Sequence, residues 1–147
     1  MEIIIYAIYT FLSAYTAGNM LTLQLQHYNL YPLVGKENFK EYIGANNRTA
    51  LVPSVLPGTF MLLLSIVLMF VRPDFMSLNI AIASLVLNIV AFFSTFKWQR
   101  KLQGEMALGG YDDAKVKLLL ATNWIRTAAF ILLGILIVST LAVAAGN

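Results

Sequence analysis

Apolar residues run almost unbroken through four stretches, about 3–26, 49–71, 76–98 and 115–145, and polar or charged connections separate them. At about 1.5 Å of rise per residue, each stretch is long enough to cross a hydrocarbon core about 30 Å thick as a helix. The pattern predicts an all-α four-helix transmembrane bundle forming one domain over residues 1–147. In the first connection Phe39, Tyr42 and Ile43 recur at i, i+3 and i+4, with Lys36, Glu37, Lys40 and Glu41 elsewhere on the turn. That spacing predicts a short amphipathic helix lying on the membrane interface.

Polar positions inside the stretches fall on helical faces. In the first, Tyr15, Asn19, Thr22 and Gln26 share one face, and Ala14 and Gly18 form a small-xxx-small pair. The face reads either as a packing surface with interhelical hydrogen bonds or as the polar wall of an internal site. Pro53 and Pro57, followed by Gly58, predict a kinked or unwound entry to the second stretch, its freed carbonyls met by neighbours or water. Ser54, Gly58, Met61 and Ser65 form that stretch's small or polar stripe. In the third, Ser77, Ala81, Ser84, Asn88, Thr95 and Gln99 align, with Asn88 near mid-bilayer as bundle glue or ligand contact. The fourth opens on Asp112 as an N-cap and carries Asn123, Arg126, Thr127, Phe130 and Gly134 inward.

Arg126 is the outlier, the last charged side chain in a long apolar run. On a lipid-facing helix a central Arg costs about 2.5–3.5 kcal/mol on insertion scales, so it must snorkel or face the bundle interior. Composition agrees with a membrane solvent: 59% hydrophobic and 12% charged residues, against about 45–50% and about 25% in soluble domains. The net charge of +3 does not point to nucleic acid, because the cations cluster beside apolar spans. Lys36, Lys40, Arg48, Lys97, Arg100, Lys101, Lys115 and Lys117 lie in the first and third connections, against Arg72 alone in the hairpin. The positive-inside rule then predicts both termini outside and the two long connections in the cytoplasm. A bacterial inner membrane is the expected location.

This topology gathers Gln26, His27 and Tyr28 with Asn46, Asn47 and Arg48, with Thr95, Trp98 and Gln99, and with Asn123, Trp124 and Arg126 at the cytoplasmic mouth. His27 has the one side chain with an ordinary pKa near neutrality. One reading makes it a general base, with Arg48 and Arg126 stabilising the anion it forms and the other residues holding a flat anionic or phenolic molecule. The other makes His27 and Tyr28 interfacial anchors and both Arg contacts for lipid phosphates or loop carbonyls. With one His and no Cys, the usual zinc and bis-imidazole haem sites are excluded, and no metal or cofactor is expected. No acid lies within a span to relay protons, and there is no phosphate-binding glycine loop.

Tyr31-Pro32-Leu33, Phe39, Tyr42, Ser94-Thr95-Phe96, Gly110-Tyr111-Asp112 and Asn123 to Thr127 together form a recognisable series across most of the chain. It resembles a family of small four-helix membrane proteins, largely of unknown function, that includes the fungal anthrone oxygenases. The resemblance implies a cofactor-independent oxygenase acting on an aromatic or quinone-like molecule, with Asn123, Trp124 and Arg126 as leading site candidates. Family members often carry Pro-x-His after Ser-Thr-Phe, where this chain has Gln103 near the expected His. His27 then either substitutes for that base or the oxygenase activity is absent. Expected partners are the lipid bilayer, a small aromatic ligand, and a membrane-protein partner or second copy. The alternative function is a non-enzymatic accessory or structural subunit of a larger membrane complex.

Overall fold

Inward stripes at helical spacing dictate how the chain packs. In the computed structural model, which describes residues 1–146, all regular structure is helical and four helices are long and apolar enough to cross a membrane. The helices are α1 (Glu2–Thr22), α2 (Phe39–Thr49), α3 (Leu56–Leu68), α4 (Leu78–Ser94), α5 (Arg100–Gly109) and α6 (Asp113–Ala145). α1, α3, α4 and α6 close a ring, in which α6 packs on α1 and α4, and α3 packs on the same two. α6 passes close to α1 at Gly134, where a Cβ would sit in van der Waals contact, 3.4 Å from the Ala17 Cβ and 3.5 Å from the Ser13 carbonyl oxygen, and a larger side chain would not fit.

The stripes of the second, third and fourth stretches face inward over most of their length, with Met61, Ser65, Ala81, Ser84, Asn88, Gln99, Asn123, Arg126, Thr127, Phe130 and Gly134 buried, Ser54, Gly58 and Thr95 half-buried, and Ser77 exposed. Asn88 is glue, since its amide donates to the Tyr9 hydroxyl at 2.7 Å and to the Ser84 carbonyl at 3.0 Å. Asp112 and Ser77 cap α6 and α4. The first stretch departs from expectation. Its buried line is Tyr6, Tyr9, Ser13, Thr16, Met20 and Gln24, one face over from the line through Tyr15 and Gln26. Ala14 and Gly18 point outward, with open space beside Gly18.

The expected face of Tyr15 and Asn19 is a packing surface. Pro57 has no N–H to give the carbonyl four residues earlier. That carbonyl, Pro53 O, instead accepts from the Tyr15 hydroxyl at 3.0 Å and the Asn19 amide at 2.9 Å. The entry is wound as a π turn, Leu51–Val55, in which the Val55 N–H reaches back to the Ala50 carbonyl. Two further π turns, Leu23–His27 and Thr95–Gln99, follow α1 and α4. Each of the three has a threonine at or just before its start whose hydroxyl bonds back to the carbonyl four residues earlier, Thr22 to Gly18, Thr49 to Ala45 and Thr95 to Ala91. Such back-bonding bends helices.

Beyond the π turns the helices run on. The first continues as a 3-10 segment through Leu33, and the third through α5 to Gly109. What the sequence read as charged connection is therefore a second tier of packed helix. α2 forms over the expected residues, but its apolar face does not lie on a membrane. Phe39 and Ile43 are fully buried against Tyr28, Tyr31, Leu102, Met106, Val116 and Leu119. The tier roofs one end of the ring.

Candidate functional site

Where ring meets tier, the three π turns come together around an open space. It is a cavity of about 400 Å³, within the range of small-molecule sites. Tyr28 and Arg126 line it together with the rings of Phe92, Phe96 and Phe130 and the amides of Asn46, Asn47, Gln99 and Gln103. π turns recur at functional sites, and all three contribute wall residues here.

Arg126 is buried, 7% exposed. Its Nε donates to Asn123 Oδ1 and its Nη2 donates to the Tyr28 hydroxyl at 2.7 Å. Asn123 is itself held, its amide donating to Gln24 Oε1 at 2.6 Å and to Thr127 Oγ1 at 3.2 Å, while the Gln24 amide donates to the Leu120 carbonyl. Gln103 Nε2 donates to the Tyr28 hydroxyl at 3.1 Å. The Tyr28 oxygen thus accepts twice, which uses its lone pairs and leaves its O–H free to donate.

Every partner of the guanidinium is neutral. Among the described residues the ion pairs are Lys115 with Glu105 and with Asp112, and Lys117 with Asp113, all on partly exposed side chains. A buried charge is normally paired, because desolvating it unpaired is expensive. Arg126 offers five N–H donors and uses two on protein acceptors. The remainder have no protein partner and belong to a residue on the cavity wall. The arrangement can take an electron-rich oxygen, best an oxyanion, flanked by a phenol O–H and by aromatic faces.

The twelve residues expected at the mouth divide. Tyr28, Asn46, Asn47, Thr95, Gln99 and Arg126 line the cavity, Asn47 with an Oδ1 that is buried and unpartnered. Asn123 stands behind Arg126 and orients it. Gln26 does not join them: it is exposed, and Gln24 occupies the inward position. Arg48 is exposed and folds back over Gly44 of its own helix, 3.7 Å from a Cβ built there. Trp98 lies under the Lys97 ammonium at 4.7 Å and packs against the tier. Trp124 is 46% exposed on the outer face.

His27 is half-buried and absent from the cavity wall. Its ring sits among Tyr28, Tyr31 and Tyr42, with centroids 5.5, 5.4 and 6.3 Å away, and its Nε2 has no hydrogen-bond partner. The π turn explains the displacement, since the wider turn carries His27 to the side of the helix that meets α2. Burial pushes the Tyr42 phenol upward, so it stays neutral beside the imidazole. No group of His, Asp and Glu among the described residues is arranged to hold a metal ion.

Sequence reasoning missed Gln24 and the place of Gln103, Phe92 and Phe96 on the wall, whereas Asn46 and Gln99, expected at the mouth, and Phe130, expected on the inward stripe, do line the cavity. Gln24 was within reach, as the next step of the three-four spacing from Tyr6 to Met20. Compared with models of known protein families, with curated proteins and with solved structures, the chain gives no match.

Proposed function

We propose that this chain is an integral membrane protein, with both termini outside and the helical tier in the cytoplasm, that binds a small flat aromatic molecule through an acidic or quinone-type oxygen. The orientation rests on the cations, which gather at the tier end of the ring. The ligand class rests on one observation: Arg126 is buried without a carboxylate partner and lines a cavity shared with Phe92, Phe96 and Phe130. An ionisable residue inside an apolar helix is a functional candidate by default, and the aromatic wall selects a planar body.

The resemblance to anthrone oxygenases suggests what the site does with such a ligand. An anthrone and molecular oxygen give an anthraquinone and water, by way of an anion whose oxygen Arg126 and Tyr28 would stabilise. No imidazole or carboxylate lines the wall, so the proton leaves to water or the ligand arrives already ionised. Binding is therefore the primary reading and oxidation its extension. A second reading, an accessory subunit of a membrane complex, draws on Ala14 and Gly18, small residues one turn apart on the outer face.

Titration of the purified protein with a hydroxynaphthoquinone, ionised at neutral pH, and with its uncharged methyl ether tests the primary reading. Saturable binding with the ionised form at least about tenfold tighter, the worth of one charge-assisted hydrogen bond, is expected. Equal affinity or no binding would remove the role assigned to Arg126.

A further inference from the structure

The position of the cavity's opening identifies where the ligand comes from. Above it, α2 packs on α5 and the tier closes the roof. Below it, α3 packs on α4, with Met61 and Leu68 fully buried. Leu51, Val55 and Phe96 are at once cavity lining and exposed surface, at 51%, 46% and 50%. A side chain that does both stands at the edge of an opening. The edge runs along the first turns of the second apolar segment, Leu51–Leu68, and the end of α4. Ser54 to Thr59 lie about 5–12 Å along that segment from its start, so the opening faces sideways between two helices rather than up through the tier.

Polarity runs in one direction through this opening. At the rim are Leu51, Val55 and Phe96, and at the back are Tyr28 and Arg126. Arg100 marks the upper corner, exposed and stacked over Phe96 with its guanidinium carbon 5.3 Å from the ring centroid. A soluble anion would have to cross an apolar rim set among acyl chains. An amphiphile already dissolved in the bilayer meets the gradient in order, head to the cation and tail to the rim.

We infer that the ligand is a membrane-dissolved amphiphile, a phenol or quinone with an acidic oxygen and a hydrocarbon tail, which enters sideways between residues 51–59 and 92–100 and leaves its tail in the gap. This rests on the reading of the cavity as a ligand site and adds a source and a route to it. The apolar rim is the part of the wall that a water-filled entrance would not need.

The test uses the full chain in phospholipid vesicles and two hydroxynaphthoquinones, one bearing a long alkyl chain and one bearing a sulfonate. The alkylated compound is expected to bind with an occupancy that follows its mole fraction in the lipid, and the sulfonated one to bind weakly. Val55→Trp, which fills the rim from a half-exposed position, should slow association of the alkylated compound by about tenfold or more, the equivalent of one or two CH₂ groups of lost burial. Because the chain has no cysteine of its own, Val55→Cys gives an independent reading. A lipid-soluble maleimide should modify it faster than a charged one, and the alkylated compound should protect it. If the sulfonated compound binds as fast and as tightly, and the charged maleimide reacts as readily, the sideways route is wrong while the site stands. If neither compound binds the unaltered protein, site and route fall together.

Discussion

Tyr28 and Arg126, 98 residues apart in the chain, meet at 2.7 Å on the inner wall of the cavity, phenol oxygen accepting from guanidinium. The bond joins the segment that follows the first π turn to the one charged residue in the apolar run of α6. It leaves the cation with neutral partners on one side and empty space on the other. Stability alone does not explain that arrangement, because apolar side chains of the same volume would pack there at lower desolvation cost.

Asn123→Asp places a carboxylate where Arg126 Nε already donates. The guanidinium then has an internal counter-ion and less need of an external one. The preference for an ionised over an uncharged hydroxynaphthoquinone should shrink by about tenfold or more, since charge-assisted bonds are worth roughly twice neutral ones. Paired titrations of the variant with both forms check this, and an unchanged preference would contradict it.

Gln103→His converts a neutral donor on the cavity wall into a titratable one. An imidazole with its ordinary pKa of about 6.5 is cationic below that value, so affinity for an acidic ligand should rise as pH falls through it. The native protein, with no imidazole on the wall, should lack that step. A binding profile across about pH 5 to 8 decides it; a flat profile in the variant would place residue 103 away from the ligand.

Gly134 separates packing from chemistry. An added Cβ would lie at ordinary van der Waals distance from Ala17 and Ser13, so Gly134→Ala should be close to neutral and lose some unfolded-state entropy. Gly134→Leu should force α1 and α6 apart, costing about 1–3 kcal/mol as overpacking does. Thermal unfolding in detergent measures both, and equal midpoints for the two variants would contradict the close approach.

Tyr9→Phe removes the hydroxyl that accepts from Asn88. Asn88 keeps its bond to the Ser84 carbonyl, and hydrogen bonds between membrane helices average about 0.6 kcal/mol. A small loss of stability with ligand affinity unchanged is expected. A large loss of affinity would mean that the ring's centre and the cavity are coupled.

The four long helices, their inward stripes and the caps at Ser77 and Asp112 were legible because each follows from helical periodicity or a local backbone rule. Arg126, Tyr28, Asn47 and Asn123 were legible as a polar group in an apolar setting. The tier was not. Charged residues at 97–117 read as a connection, yet α5 pairs with α2 through apolar positions too few to register as a stripe. Gln26 and His27 were misplaced for a different reason. Extrapolating a regular helix past Thr22 ignores the π turn, which depends on threonine back-bonding and tertiary packing and rotates every following side chain. Arg48 was lost because an exposed guanidinium gains more from water than from a cavity already holding one cation.

The measurement that bears most directly on Arg126 compares stability and binding in the same samples of native protein, Arg126→Met and Arg126→Lys. Removing the buried, uncompensated charge offsets the acceptor left open on Asn123, so the Arg126→Met midpoint should stay close to the native one while binding of the ionised hydroxynaphthoquinone is abolished. The lysine variant should retain weakened binding, since it keeps the charge without the planar fork. If Arg126→Met unfolds the protein, or stays folded and binds as the native chain does, Arg126 is a structural residue and the account of the cavity is wrong.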